Sequence, residues 1–530
     1  MTTTGRPPET PAIAPVNGLA PIELVELAGI VVLAAILRFV DLPTRGTWDA
    51  DQGHDMLVLH DLVLNGQFPL LGPPTSIGDF HHGVLYYLLL APFAALSGAD
   101  PIAVTAAIAF GGTLAVAITW WLARAIAGPA AGLIAGFLLA ISASAVEEST
   151  FIWNPNLIAL SSSIALAAAW RAWTTRRTRW WVVVGAASVV TMHCHVLGVV
   201  LTPVVAGLLV ADIRRRPEAG PAIRAGLAWI AIALISYLPL AIHELTSGGS
   251  ETRAAIAFLA SGAPADMSLP LRLPIVGLRV LAWPLTGLIT AAPIAALLAA
   301  TLVVALTVWR AVSALGDERT AVRWLGLGLG WTVVALAVGA SGLATVVPGL
   351  PNDHYHAFAD PIVVVLVAVG LAAVARNGVL ARPAGRLQLG LGASIAIVFA
   401  LGAWNVAHQP PARTPDGGWP AAQVAGDRML RSLPAGPTEI VSLPIGKGPD
   451  AVRFPLVRAG AELPAAVAPT SQPSPGTRAR IVLCDDLFRE VIGAACGGPA
   501  EDALPASSNL KLVDRYEAAP GRWVSIYVSE

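Results

Sequence analysis

The sequence predicts an all-α polytopic membrane protein with about eleven transmembrane helices, followed by a small α/β extracytoplasmic C-terminal domain. Three observations support this prediction. The 530 residues are 55% hydrophobic and only 13% charged, with a mean hydropathy of +0.68, whereas soluble domains carry about 25% charged residues. Several apolar runs reach the ~18 residues that are needed to cross about 30 Å of hydrocarbon. Arginine clusters separate these runs, as is typical of cytoplasmic loops.

The transmembrane domain is predicted over residues 20–406. Residues 1–19 are rich in Pro and Thr and lack the basic-then-apolar pattern of a signal peptide, so we interpret them as a disordered cytoplasmic tail. Apolar runs predict spans at 22–40, 102–123, 129–146, 156–173, 180–195, 196–212, 225–243, 288–310, 324–345, 359–376 and 388–406. Two further apolar stretches, 83–97 and 274–286, are short for a full crossing.

The arginines set the predicted orientation. They are concentrated in four clusters, at 171–179, 214–216, 310–323 and 376–386. Because positive residues favour cytoplasmic loops, the N-terminus is predicted to be cytoplasmic and both the first long loop, 41–101, and the tail to be outside. This assignment requires that 83–97 and 274–286 do not cross, and we interpret both as helices at the outer interface. The chain is therefore predicted to be a multi-pass protein of the cell membrane.

The tail, 407–530, differs in composition and predicts the small α/β domain. Its strand-like runs are 439–443, 480–484 and 523–528, and a helix is predicted at 485–495. Cys484 and Cys496 could form a disulfide in an exported domain, and two free thiols fit the sequence equally well. The chain has no P-loop and no GxGxxG fingerprint, which argues against an ATP-driven machine. Nothing in the sequence predicts a nucleic-acid partner.

The first outer loop contains the densest group of polar residues. The segment WDADQGHD places Asp49, Asp51, His54 and Asp55 close together, and an amphipathic helix is predicted over 53–64. Asp51 could cap that helix. Alternatively, a carboxylate at a membrane boundary could accept a hydroxyl proton as a general base.

Other polar residues lie at the predicted outer ends of helices. His81 and His82 precede Tyr86 and could anchor the chain at the interface or hydrogen-bond a phosphate. Glu148 ends one predicted helix and Asn154 caps the next. His193 and His195 could bind a metal only with further ligands, and we interpret them as solvated boundary residues.

Two later outer loops carry further candidates. Arg253 and Arg272 are among the few basic residues predicted outside, where they could reach lipid headgroups or bind a lipid phosphate. The segment 348–360 contains Asp353, His354 and His356 before the tenth span. These side chains could line a substrate cavity or cap a helix end.

Four of these segments together resemble the GT-C fold glycosyltransferases that use polyprenyl-phosphate sugars. They are WDADQGHD, GPPTSIGDFHHGVLYYLLLAPF, IWNPNLIAL and DHYHAFADP. The resemblance is to the group that includes protein O-mannosyltransferases and lipid A aminoarabinose transferases. It covers most of 20–376 in layout, and it implies a GT-C fold with interfacial helices in the first outer loop.

The resemblance implies roles for individual residues. Asp51 matches the general base, His82 falls where relatives carry a basic or His residue near the donor phosphate, and Gln52 stands where many members carry Glu. Asn154 falls where some relatives carry a second Asp, and Asp49 or Glu148 could supply that charge. Arg253 and Arg272 are predicted to assist at the donor phosphate. The predicted substrate cavity comprises Asp49, Gln52, His54, His81, Tyr86, Glu148, Asn154, Asp353, His354 and His356.

The implied function is an inverting transfer of a sugar from a polyprenyl-phosphate donor to an acceptor hydroxyl at the extracytoplasmic membrane face. Its partners would be the lipid-linked donor, membrane lipid and an acceptor of unknown identity. No nucleotide or redox cofactor is implied, and a divalent cation is possible although no cluster has metal-ligand spacing. Two alternatives remain, a lipid-carrier flippase or transporter and a non-catalytic membrane scaffold. A cavity beneath Asp51 would favour the enzyme over the scaffold.

Overall fold

The computed structural model describes residues 19–75, 80–261, 267–344, 353–380, 385–444, 448–468, 471–486, 496–497, 501 and 510–529. The predicted N-terminal tail, apart from its last residue, lies outside the described residues. The same holds for 348–352 of the late outer loop and for most of the helix predicted at 485–495.

The membrane part is built from eighteen helices within the described residues. They are α1 (Pro21–Phe39), α2 (Leu42–Arg45), α3 (Ala50–Leu64), α4 (Leu85–Ser97), α5 (Pro101–Ala127), α6 (Pro129–Ile141), α7 (Ala143–Glu147), α8 (Ile158–Thr175), α9 (Arg179–Cys194), α10 (Leu201–Arg215), α11 (Gly220–Ser236), α12 (Leu238–Thr246), α13 (Ser250–Ser261), α14 (Leu269–Thr286), α15 (Pro293–Ser313), α16 (Gly316–Gly339), α17 (Asp360–Leu380) and α18 (Gly385–Ala407). Short 3₁₀ turns at Asn154–Leu157, Val196–Val200 and Asp353–Ala359 lead into α8, α10 and α17.

The described helices include eight segments that are long and apolar enough to cross a membrane. They are Pro101–Ala127, Asn154–Thr175, Val196–Arg215, Leu269–Thr286, Pro293–Ser313, Gly316–Gly339, Asp353–Arg376 and Leu389–Ala407. The pair α11 and α12, bent by 43°, would make a ninth. The predicted spans α6 and α9 are shorter, and α1 carries Glu23, Glu26 and Arg38. The all-α membrane architecture is confirmed, but the number of crossings remains a prediction.

Helix α14 contains the stretch 274–286, which we predicted not to cross. The helix is longer than that stretch, because it begins at Leu269. Three of its residues contact the ends of other helices, and all of these ends are predicted to lie at the extracytoplasmic face. Arg279 pairs with Asp353 at 2.7 Å, Trp283 Nε1 donates to Glu148 at 3.3 Å, and the Leu285 carbonyl accepts from Asn405 at 2.8 Å. The helix is nevertheless long and apolar enough to cross a membrane, so its placement at the outer interface remains a prediction.

In the part that the structure describes, the C-terminal domain is a five-stranded mixed sheet with two helices. The elements are α19 (Gly418–Ser432), β1 (Thr438–Leu443), α20 (Asp450–Arg458), β2 (Ala465–Ala466), β3 (Ala479–Asp485), β4 (Leu510–Ala519) and β5 (Arg522–Ser529). Strand order is β2-β1-β3-β5-β4, with β1 parallel to β2 and β3, and β5 antiparallel to β3 and β4. The small α/β domain is thus confirmed, and Cys484 and Cys496 form a disulfide.

The C-terminal domain packs directly on the first outer loop. The Trp48 ring lies 4.6 Å from that of Trp419 and 5.7 Å from that of Phe454. Helix α20 packs on α3 so closely that a Cβ added at Gly53 would lie 2.0 Å from the Asp450 carbonyl oxygen. Only glycine fits at this crossing of two backbones. The domain therefore supports the helix that carries Asp51.

Candidate active site beneath helix α3

Helix α3 begins earlier than the sequence predicts, and a different aspartate caps it. Asp49 is extended and its carboxylate accepts from the Ala50 N–H at 2.8 Å. The Gln52 side chain accepts in return from the Asp49 N–H at 2.9 Å, which completes a capping box. The predicted start at residue 53 was wrong, because these polar residues satisfy the first turn. Asp51 lies within that turn and is exposed, so Asp49 performs the capping considered for Asp51.

A cavity of about 90 Å³ opens beneath Asp51. It joins five segments that are distant in sequence: the start of α3, the stretch around His82, and the turns before α8, α10 and α17. Its lining residues are Asp51, His54, Asp55, Pro73, Pro74, Thr75, His82, Trp153, Asn154, Pro155, His195 and Tyr355. Four predicted site residues, Asp51, His54, His82 and Asn154, are therefore brought together.

Aromatic rings form one wall of the cavity. Trp153 and His354 have ring centroids 3.8 Å apart, and His195 stacks on Tyr355 at 4.2 Å. His82 lies 5.1 Å from the ring of His195. His195 had been interpreted as a solvated boundary residue, but it is only 7% exposed. This packing gives the cavity rigid planar walls, as in small-molecule sites where a few polar groups project from apolar surfaces.

His82 is a neutral residue of this wall. It is 5% exposed, and burial, followed by the neighbouring His81 and His193, lowers its pKa to about 4. At neutral pH the imidazole of His82 is therefore uncharged, so it can offer a hydrogen bond but no positive charge.

Asp55 is a second carboxylate of the cavity that we did not predict as a site residue. Its two carboxylate oxygens accept hydrogen bonds from Tyr86 and Tyr87, each at 2.8 Å. Burial raises the pKa of Asp55 to about 7, against the opposing effects of His54 and the two tyrosines. The four-residue spacing from Asp51 was the available signal, because residues i and i+4 share a helix face.

His54 is held by the C-terminal domain. Its Nδ1 lies 3.1 Å from Asp450 Oδ2, and Asp450 also accepts from Arg453 at 2.7 Å. Burial opposes protonation of His54, but the hydrogen bond to Asp450 and the charges of Asp55 and Asp450 outweigh it, so the pKa of His54 is raised. A cationic side chain can thus stand at the cavity.

Several predicted site residues contact other groups instead. Asp49 accepts from Arg522 at 2.9 Å, and Gln52 donates to the Ile152 carbonyl at 2.8 Å. The imidazole of His81 pairs with Glu251 at 3.2 Å. Glu148 accepts from Trp283. None of these side chains lines the described cavity.

The remaining candidates lie further from the cavity or beside its wall. Asp353 is buried between Arg279 and His356, which is 3.3 Å away, and His354 touches the cavity through Trp153. Tyr86 is connected to the cavity through its hydrogen bond to Asp55.

The two predicted phosphate-binding arginines lie elsewhere. Arg253 donates to the Gly248 carbonyl of its own loop, and Arg272 lies on α14. Neither arginine is among the lining residues, so their predicted role at the phosphate gains no support from position.

Replacement of Asp55 by Asn should change the pH dependence of stability. The pKa of Asp55 is raised to about 7 in the folded protein, so the folded protein holds this proton more tightly than the unfolded chain does. The contribution of this proton to stability is complete below about pH 4 and is lost as the pH rises through about 7. The Asp55→Asn variant should therefore lose less stability than the parent between about pH 5 and about pH 8, by up to about 1.4 kcal/mol per pH unit. Apparent melting temperatures in detergent would show this, with Asp61→Asn on the exposed side of α3 as the control. Parallel pH curves for parent and Asp55→Asn would contradict the assignment.

The architecture defines the class of the protein: the chain has the GT-C fold, as the sequence resemblance implies. ArnT from Cupriavidus metallidurans, solved bound to undecaprenyl phosphate, is similar with a TM-score of 0.64 at 15% identity, and the match covers 96% of this chain and 98% of that one. The archaeal oligosaccharyltransferase AglB from Archaeoglobus fulgidus, solved with an inhibitory peptide and a dolichol-phosphate, gives 0.55 at 14% identity over 96% of this chain and 74% of that one. At such identities the likeness establishes the fold.

The sequence itself matches one family model. The model of the dolichyl-phosphate-mannose-protein mannosyltransferases matches residues 81–243, which include His82, Asn154 and His195 but not Asp51. No curated protein sequence matches the chain. The fold is therefore shown over almost the whole chain, whereas the family match covers about a third of it.

Proposed function

We propose that the protein is an inverting glycosyltransferase that moves a sugar from a polyprenyl-phosphate donor to an acceptor hydroxyl at the extracytoplasmic membrane face. The observation that carries this proposal is the position of Asp51, which is exposed at a cavity that it shares with His82. The similar ArnT structure contains undecaprenyl phosphate, which is the lipid product that such a reaction releases.

In the proposed reaction Asp51 takes the proton of the acceptor hydroxyl. The acceptor oxygen attacks the anomeric carbon from the face opposite the lipid phosphate and forms the new glycosidic bond. The bond from that carbon to the phosphate oxygen breaks, its electron pair leaves with polyprenyl phosphate, and the configuration inverts. The proton remains on Asp51 until solvent removes it. A positioned carboxylate of this kind contributes on the order of 10²- to 10⁴-fold in rate.

Two cavity histidines are suited to the departing phosphate in different ways. Neutral His82 offers a hydrogen bond, and His54, whose pKa is raised, can add a positive charge. Such groups stabilise negative charge that develops as the leaving group departs. Arg253 and Arg272 remain predictions from the sequence. The option of a divalent cation between the phosphate and Asp51 can be examined by metal titration in the same assay.

The two alternatives have less support. A non-catalytic scaffold needs no cavity beneath Asp51, whereas one is present. A transporter needs polar access from both faces, and the described cavity residues all lie at the same predicted outer face.

The direct test is incubation of the purified protein with a panel of polyprenyl-phosphate sugars and candidate acceptors. Release of polyprenyl phosphate that depends on the acceptor would support the proposal. Absence of release with every donor, from protein that still binds polyprenyl phosphate, would argue for a transporter or a scaffold instead.

Replacement of His82 by Ala should mainly weaken use of the donor. Loss of one hydrogen bond to a charged phosphate should raise the KM for the donor about tenfold, while kcat changes less. The matched control is His408→Ala, because His408 is exposed at the end of α18 and stacks only on Trp404 among the described rings. An unchanged KM for the donor in His82→Ala would remove the phosphate role from this residue.

A further inference from the structure

A second cavity lies at the opposite end of the helix bundle from Asp51. It has a volume of about 470 Å³ and opens between α1, α5, α8 and α9. Along α8, Arg171 at this cavity is seventeen residues beyond Asn154 at the proposed active site, about 25 Å at the rise of an α-helix. The two cavities are therefore separate, and the proposed sugar transfer does not involve this one.

The walls of this second cavity are apolar over most of their length. Leu27, Ile118 and Ile164 line its inner part, while Trp121, Arg171 and Trp180 line the end next to the arginine cluster at 171–179. A groove of this shape, open to the side of a membrane helix bundle, provides hydrocarbon contact along its length and a polar boundary at one end.

The polar end contains a half-buried arginine and two buried N–H groups without a hydrogen-bond partner. The guanidinium of Arg171 lies 5.4 Å from the ring centroid of Trp121 and 5.2 Å from that of Trp180. Arg171 Nε and Trp180 Nε1 are both buried without a hydrogen-bond partner, and no described carboxylate pairs with Arg171. Buried donors without partners are costly, more so when the group is charged, and an anionic headgroup offers acceptor oxygens for both.

We infer that this groove binds one anionic phospholipid, with the phosphate at Arg171 and Trp180 and an acyl chain along Leu27 and Ile164. Both chemical requirements of the groove, an anion at the mouth and hydrocarbon along the walls, are met by one molecule of this class. Arg179 adds positive charge at this end, because its guanidinium lies 5.6 Å from the ring centroid of Trp180, and basic residues at a membrane boundary attract anionic lipids.

Native mass spectrometry of the full chain in detergent, titrated with phosphatidylglycerol or phosphatidylcholine, tests this site. We expect one phosphatidylglycerol to bind in preference to phosphatidylcholine. Arg171→Gln should weaken phosphatidylglycerol binding about tenfold, because it removes a charged hydrogen bond. Ala117→Phe should weaken it as well, because Ala117 lines the groove and a ring there fills the space of the acyl chain. Arg224→Gln, an exposed charge on α11, is the matched control and should bind as the parent does.

Several outcomes would overturn the inference. Equal phosphatidylglycerol binding by parent and Arg171→Gln would exclude the phosphate contact, and equal affinity for phosphatidylcholine would exclude selection by charge. Displacement of phosphatidylglycerol by equimolar polyprenyl phosphate would assign the groove to the carrier lipid. A chain without residues 2–18 that binds phosphatidylglycerol about tenfold more tightly would assign it to that segment. If Ala117→Phe does not fold, the comparison of Arg171→Gln with Arg224→Gln decides alone.

Discussion

Asp51→Asn is expected to lower sugar transfer by on the order of 10²- to 10⁴-fold without loss of folded protein. The amide has the size of the carboxylate but cannot accept the acceptor proton, so the general base is removed while the cavity keeps its shape. Because Asp51 is exposed, the substitution should change stability by less than about 0.5 kcal/mol. Release of polyprenyl phosphate over time by the purified variant measures the first effect, and its melting temperature measures the second.

The control for this prediction is Asp61→Asn. Asp61 lies on the same helix and accepts a hydrogen bond from Asn65 at 2.8 Å, so this variant loses the same charge away from the cavity. It should transfer sugar at the parental rate. Transfer by Asp51→Asn at a similar rate would remove the base assignment, and loss of activity in both variants would indicate a general effect of the charge of α3.

Of the substitutions proposed here, Arg522→Gln is expected to cause the largest loss of stability. Arg522 is 3% exposed and donates to Asp49, to Asp485 and to the Trp48 carbonyl at 2.8–2.9 Å. Removal of its charge leaves the buried Asp485 without this partner, and breaking a buried ion pair on one side costs about 3–5 kcal/mol. Thermal unfolding of the purified variant would measure this loss.

Arg522→Gln should also lower transfer, on the order of tenfold, because Asp49 caps the helix that carries Asp51 and small displacements of catalytic groups slow reactions strongly. The comparison is Arg428→Gln, which breaks an exposed pair with Asp514 and should cost about 1 kcal/mol or less. Equal stability of the two variants would show that the C-terminal domain does not hold α3 through Arg522.

Much of the fold could be predicted because membrane helices are determined by local composition. Helices such as α5 and α15 follow directly from apolar runs, and the strands β1, β3 and β5 follow from short β-branched runs in a polar tail. The start of α3 was harder, because its first turn consists of polar residues that look like a loop until Asp49 and Gln52 are seen to cap it. Polarity alone does not separate a cap from a catalytic group.

The composition of the candidate site could be predicted only in part. Asp51, His82 and Asn154 were found because their motifs resemble a family, but the pairing of His54 with Asp450 joins residues 396 positions apart and has no local signal. Glu148 and Asp353 were assigned to the cavity as polar residues at helix ends, whereas they contact Trp283 and Arg279 on α14. Arg279 was overlooked because it lies inside an apolar stretch, where a buried arginine gives no periodic pattern.

The most direct measurement for the central claim is a structure of Asp51→Asn bound to its polyprenyl-phosphate sugar, determined by cryo-electron microscopy. The donor identified in the release assay would be trapped, because the variant binds it but does not transfer the sugar. The account predicts that the sugar occupies the cavity and that a phosphate oxygen is hydrogen-bonded to His82. The face of the anomeric carbon opposite the phosphate should point towards residue 51. A donor whose phosphate lies outside this cavity, or whose anomeric carbon faces away from residue 51, would contradict it.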